Sequence, residues 1–484
     1  MTSSQTVSAR PRTSAGIAGG KHRTAGLTSA GLVTLLLGAA LPMIDFFIVN
    51  VALPTIDATL HANNATLELV VAGYGITYAL LLVLGGRLGD TFGRRRLFLF
   101  GLAAFTVTSL ACGLAPTAFS LVLARAAQGA ASALMLPQVL STIQATTSGQ
   151  RRSSALGFYG ATGGVSTVVG QLLGGLLVSA DIAGTEWRPI FLVNVPVGLA
   201  GLIMGLRTVP ETRSTTPVRV DRPGTALLAI TLLSLLIPLM EGRAVGWAPW
   251  TWALLAVFPF ALAAFVVVEV RAERDGRVPL LPPSVMRVPS MRRGLLLAAP
   301  FFTGFGGFMF VYALTLQDGL HLGAFGSGLA LTPMALGFLA ASLISSRLVT
   351  RFGAKVVPYG ATIQGIGLVI LAGLVLANWP HLTPLSLAPG MVVVGFGQGM
   401  TMTTLFRVIL SQVPVERAGV GSGALVTTQQ TFLALGVATL GTLYAALSGG
   451  SLGMRTAFVL VLGVMVLVAA VLSVFGHRLP DPRR

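Results

Sequence analysis

Three polar side chains stand inside stretches that are otherwise apolar, and their types could do chemistry. Asp45 follows Leu41-Pro42-Met43-Ile44, while Arg125 and Gln128 sit in Leu121-x-x-x-Arg125-x-x-Gln128-Gly129. Of the 15 Asp and Glu residues, Asp45 is the only one well inside such a stretch, and Arg125 is the only base there. A charge in hydrocarbon is expensive unless paired, so both residues read by default as functional. A carboxyl in that setting can take up and release a proton, or bind a cationic group, by turns. The plainer alternative is structural, with Asp45 in a hydrogen bond and Arg125 a clamp on its segment. Gln128 lies one helical turn from Arg125 and extends the polar set.

Other chemistries lack their residues. His22, His61, His321, His381 and His477 fall in tails or loops, so no histidine cluster inside the apolar stretches offers a metal site. Gly19-Gly20-Lys21-His22 lacks the leading glycine and the Ser or Thr of a nucleotide-binding loop. No G-x-S-x-G elbow stands beside a candidate base. Cys112 is the single cysteine, so no disulfide framework exists. The expectation is a non-enzyme without metal or cofactor, and one that ATP does not power directly.

The elements that must position these groups are membrane helices. Hydrophobic residues make up 54% of the 484-residue chain and charged ones only 10%, where a soluble domain carries about 25%. The apolar runs are long and do not alternate, which favours helices over barrel strands. A helix also satisfies its own backbone where no water is present. The runs fall near 28–53, 69–88, 97–115, 118–139, 155–179, 189–208, 223–240, 250–270, 294–316, 326–346, 357–377, 387–409, 419–447 and 455–475. Fourteen crossings put both termini on one side, and 28 of the 32 Lys and Arg residues lie there. Arg188, Arg243 and Arg455 lie opposite. The positive-inside rule makes the basic side cytoplasmic. Topology thus explains the net charge of +17, and no nucleic-acid partner is expected. Lysine occurs only at Lys21 and Lys355, a bias that with abundant Ala and Gly fits a GC-rich bacterium, and the expected location is the inner membrane.

Residues 1–26 read as a disordered cytoplasmic tail and 477–484 as a second, short one. Two longer basic loops, 209–222 and 271–293, bracket spans 7 and 8. They divide the chain into a six-helix bundle (27–208), a two-helix insert with its linkers (209–293) and a second six-helix bundle (294–476). An internal repeat supports that division. Gly86-Arg87-Leu88-Gly89-Asp90-Thr91-Phe92-Gly93 closes span 2, and Ser346-Arg347-Leu348-Val349-Thr350-Arg351-Phe352-Gly353 closes span 10. Gln128-Gly129 in span 4 is echoed by Gln398-Gly399 in span 12.

The stretch Gly86 to Arg96, GRLGDTFGRRR, resembles the loop between helices 2 and 3 of the major facilitator superfamily, G-x-L-x-D-x-x-G-R-[RK]. Its glycines, Gly86 and Gly93, permit a tight turn and close helix approach. The resemblance implies a gate motif of Gly86, Arg87, Asp90, Gly93, Arg94 and Arg95. In it Asp90 would latch the two halves on the cytoplasmic side, against the N-terminal end of helix 11 near Pro358. Further stretches are similar to the fourteen-helix drug:proton antiporter branch. Asp45 to Pro54 resembles D-x-x-I-V-N-V-A-L-P, Trp187 to Gly198 resembles W-R-x-x-F-x-x-N-x-P-x-G, and Arg125 to Gly129 resembles R-x-x-Q-G. That last match implies a link to proton transfer. Gly170-Gln171-x-x-Gly174-Gly175 resembles the antiporter motif G-P-x-x-G-G, with Gln171 where the proline usually stands.

The resemblance implies an all-α integral membrane protein of the major facilitator fold with 14 transmembrane helices arranged as 6 + 2 + 6. Its expected function is alternating-access export of amphipathic, hydrophobic or cationic drugs or antibiotics in exchange for protons. A proton symporter for a metabolite and a non-transporting receptor or scaffold are the alternatives. Asn50, Glu241, Phe305, Gln317, Asp318 and Gln398 are kept as positions for substrate or a second proton. Phe301, Phe302, Phe305, Phe308, Phe310 and Tyr312 make span 9 aromatic, as lipid-facing packing or, more sharply, as a wall for substrate. The expected partners are a small-molecule substrate, protons and the bilayer, with the chain as a monomer.

Overall fold

The computed structural model describes residues 26–60, 64–213, 221–242, 245–277, 279–322, 324–414, 417–450 and 452–482. The expected N-terminal tail lies almost wholly outside them, as does the linker stretch 214–220. The described residues form helices and no strand. In chain order these are α1 (Ser29–Leu60), α2 (Asn64–Phe92), α3 (Arg94–Gly113), α4 (Ala118–Thr146), α5 (Gly149–Ala180) and α6 (Pro189–Thr208). The pair α7 (Arg222–Glu241) and α8 (Pro249–Arg274) follows. Then come α9 (Pro289–Leu314), α10 (Ala324–Phe352), α11 (Val356–Asn378), α12 (Pro384–Leu410), α13 (Ala418–Ser448) and α14 (Gly453–Gly476).

Among the described residues, eleven stretches are long and apolar enough to cross a membrane. One of them, Gly326–Asn378, turns back at Gly353–Lys355 and holds both α10 and α11. Of the other long helices, α5 is diluted by glycine, and α7 has a shorter apolar part, Pro223–Leu239. Local signals set the helix starts. Thr117 and Ser120 form a capping box at α4, and Thr383 and Ser386 form the same box at α12. Asp221 caps α7 by accepting from the Gly224 N–H at 3.1 Å. Gly93, at φ 105°, makes the turn between α2 and α3 that other residues resist.

Helices α1–α6 pack among themselves, as do α9–α14, while α7 and α8 pair and lie along α2 and α13. Their contact uses Ala79 and Val83 of α2 against Leu228, Leu232 and Phe265. The two halves meet where α5 packs on α10 and α12, and where α2 and α4 pack on α13. Ser141 and Ser422 share a hydrogen bond of 2.9 Å there, and Gln144 Nε2 donates to Leu410 O at 3.1 Å. Thr350 and Gln150 meet at 3.1 Å on the same end, which also carries the arginine-rich loops. We call this end the basic face.

The helix opposite the end of α2 is not the expected one. Gly423 of α13 faces Leu82 and Val83. Pro358, at the start of α11, instead packs on Gly476 of α14. Helix α11 packs against α12 and α14.

Candidate functional site

The three residues singled out by their isolation meet in one network. Asp45 in α1 and Arg125 and Gln128 in α4 are all 0% exposed. Arg125 Nη1 donates to Asp45 Oδ2 and, at 2.8 Å, to Gln128 Oε1. Its Nε donates to Val70 O at 3.1 Å. Gln128 Nε2 donates to Asp45 Oδ1 at 3.0 Å. A further donor comes from α6, where Asn194 Nδ2 reaches Asp45 Oδ1 at 2.9 Å and Ser109 Oγ at 3.0 Å. Below the guanidinium lies the Tyr74 ring, 4.3 Å from Arg125 Cζ, with Phe191 at 5.6 Å. The Tyr74 hydroxyl is held between Ser132 Oγ (2.9 Å) and Pro42 O (3.1 Å).

A buried ion pair is tolerable only with good geometry and further hydrogen bonds on its spare atoms. Here both carboxylate oxygens have donors. Protonating Asp45 would change two things at once. It would remove the counter-charge of Arg125, and it would convert an acceptor oxygen into a donor, displacing one of its present partners. Tyr74 connects the network to a cavity between the halves, lined by Phe46, Tyr74, Tyr78, Phe302, Phe305 and Gln429 among others. None of the described lining residues is charged.

The remaining candidates are scattered. Phe305 lines the cavity. Its neighbours Phe301, Phe302, Phe308 and Tyr312 are buried at 0–2% exposure, which corrects the lipid-facing reading of span 9. Gln398 is buried without a partner for either polar atom among the described residues, and it does not line the cavity. Glu241 is buried at the end of α7, also away from the cavity. Gln317 is exposed in the turn Thr315–Gly319 that follows α9. The side chains of Asn50, Gln171 and Asp318 lie outside the described residues. Gly170, Gly174 and Gly175 are buried. A Cβ on Gly170 would stand 2.7 Å from Ile44 O of α1, so α5 needs glycine to pack there.

The gate motif is occupied with local partners. Arg94 bridges to Asp90 at 2.8 Å. Arg87 Nε donates to Leu280 O at 2.9 Å and its Nη2 to Pro279 O, in the strap after α8. Arg95 donates to Leu206 O, and Gly86 and Gly93 are buried. The motif thus ties the end of α6 and the strap after α8 to the end of α2 and the start of α3.

Sequence reasoning missed Asn194 and Ser109 as members of the network. The signal for Asn194 was present, because it is the asparagine of W-R-x-x-F-x-x-N-x-P-x-G. Arg125 is also not the only base buried within a long helix. Arg407 lies in α12 and is only 4% exposed.

Comparison with known proteins fits this geometry. The profile of the Major Facilitator Superfamily matches residues 35–437. The chain is 34% identical over 421 residues to a probable actinorhodin transporter of Streptomyces coelicolor, covering 87% of this chain and 73% of that one. It is 35% identical over 442 residues to the cephamycin export protein CmcT of Amycolatopsis lactamdurans, covering 88% and 87%. Among solved structures, the human organic anion transporter MFSD10 (TETRAN) superposes with a TM-score of 0.63 at 15% identity, covering 91% of this chain and 99% of that one, a likeness of fold. The chain therefore belongs to the Major Facilitator Superfamily, as a multi-pass membrane transporter and not an enzyme.

Proposed function

We propose that this transporter exports amphipathic drugs or antibiotics across the bacterial cell membrane in exchange for protons. The observation that carries the reading is the Asp45 carboxylate, bound by Arg125, Gln128 and Asn194 and joined through Tyr74 to an uncharged aromatic cavity. The relative named as a cephamycin export protein supports export as the direction. The positive-inside rule supports a cytoplasmic basic face and cytoplasmic termini.

In this mechanism the halves rock about the cavity. The structure, joined at the basic face, corresponds to the state in which that face is shut. A proton arriving at Asp45 frees Arg125 from its counter-ion, and Tyr74 moves with the guanidinium stacked on it. The cavity wall changes and substrate affinity falls. Loss of the proton at the cytoplasmic side restores the pair and the binding wall. Protonation and substrate binding therefore oppose each other, which is what exchange requires. No cofactor takes part, and one chain contains the whole site, so a monomer suffices.

The test is transport of ethidium by the purified protein in proteoliposomes under an imposed pH gradient. The unaltered protein should move ethidium against the proton flow, and Asp45→Asn should not. Equal transport by Asp45→Asn would remove Asp45 from the coupling. Movement of ethidium together with protons would replace exchange by symport.

A further inference from the structure

Arg407 is another buried cation, and no carboxylate among the described residues pairs with it as Asp45 pairs with Arg125. Its Nη1 donates to Ser345 O at 3.3 Å. Its Nε and Nη2 have no acceptor among the described residues, and none of the ion pairs found there includes it. The hydroxyls of Ser342 in α10 and Thr404 in α12 are also buried without partners. An arginine keeps its charge in proteins, so this guanidinium cannot escape the cost by losing a proton. A purely structural arginine would be expected to hold a carboxylate, as Arg125 does.

Its position explains what it could hold. Arg407 lies in the seam between the halves, where a Cβ on Gly157 of α5 would stand 2.7 Å from its Nη2. Thr403, one turn before it, faces Gly160, and Phe338 of α10 faces Gly164. The same seam runs into the cavity, which Gly163 and Met402 line. Met402 precedes Arg407 by five residues, roughly 7.5 Å along the helix axis. Alternating access requires this seam to part, and parting it uncovers Arg407 in the wall of the passage from the basic face to the cavity.

We infer that Arg407, with the hydroxyls of Ser342 and Thr404, binds the acidic group of an amphipathic substrate on its way from the basic face to the cavity. A guanidinium offers a carboxylate two parallel hydrogen bonds, and small hydroxyls complete the ring of donors. The described cavity lining supplies no charge, so the acidic end of such a compound is served at Arg407 and its aromatic body in the cavity. The inference rests on the export reading and adds carboxylate-bearing aromatic compounds to its substrates.

The experiment compares fluorescein, which carries a carboxylate, with ethidium, a cation, in proteoliposomes of the full chain under an imposed pH gradient. Arg407→Gln should lower the ratio of fluorescein to ethidium transport by about tenfold or more, the loss expected for one charge-assisted pair. Arg407→Lys keeps the charge without the fork and should give a smaller fall, read as a raised KM for fluorescein. An unchanged ratio in both variants, whether both dyes slow or neither does, would overturn the inference. If Arg407→Gln does not fold, the Arg407→Lys ratio decides alone. If the unaltered protein moves neither dye, the export reading fails by itself. Fluorescence anisotropy then measures dye binding to the solubilised protein, and equal losses for both dyes in Arg407→Gln would still sink the site.

Discussion

Helices α4 and α12 occupy matching places in the two halves. Each begins with a Thr-x-x-Ser capping box. Each carries a Gln-Gly pair whose glycine faces a neighbour's carbonyl, Tyr74 O for Gly129 and Phe338 O for Gly399. Three residues before the glutamine the likeness stops, with Arg125 in α4 and Gly395 in α12. Gln128 is therefore knitted to a charge pair, while Gln398 lies buried with no partner among the described residues. The repeat keeps the backbone approach that lets helices pack, and the Asp45–Arg125 pair stands in the first half. The second half has a cation of its own, Arg407, but at the seam rather than in the core.

The sharpest break in this comparison is Asp45→Asn. Gradient-driven dye transport should fall to background. Removing one partner of a buried pair costs about 3–5 kcal/mol, so the melting temperature of the purified protein should fall as well. Adding Arg125→Gln should recover most of that stability and none of the transport, since the unpaired charge is gone but the proton site is not restored. A thermal melt and a dye assay on the single and double variants read both effects.

Packing should be symmetric where chemistry is not. Gly129→Val and Gly399→Val each force a side chain against backbone, and each should cost about 1–3 kcal/mol. Melting curves that fall for only one of them would end the claim that the repeat is a packing repeat. Asn194→Ala removes one hydrogen bond to the carboxylate, worth about 1.5–3 kcal/mol, and should reduce transport partially rather than abolish it. Dye flux between the background and unaltered levels is the expected reading. The smallest effect belongs to Gln398→Leu. It removes unsatisfied buried polar atoms, whose burial costs about 1–3 kcal/mol, and should leave stability unchanged or raise it. Gln128→Leu should lower stability under the same melt.

Much of this was legible in the sequence because a charge inside an apolar run has no ordinary explanation. Asp45 and Arg125 stood out on that ground, and Gln128 followed by helical spacing. Asn194 did not, because a neutral amide beside apolar residues raises no alarm and only the fold brings α6 to α1. The partner of the α2 end was misassigned because facing helices are set by tertiary packing, and α13 rather than α11 stands there. Span 9 is apolar on every side, so its sequence could not say which face meets lipid and which meets the cavity. Arg407 was hidden by its position, since it sits near a span end where a basic residue reads as part of the loop.

Whether coupling resides in the first half alone is tested most directly by measuring proton flux and substrate exchange in one preparation. Proteoliposomes holding a pH-sensitive dye report proton movement when ethidium is added, and counterflow of ethidium without a gradient reports binding and rocking. Asp45→Asn should lose ethidium-dependent proton flux while keeping counterflow. Proton flux at the unaltered rate in Asp45→Asn would contradict the assignment of coupling to the Asp45–Arg125 network.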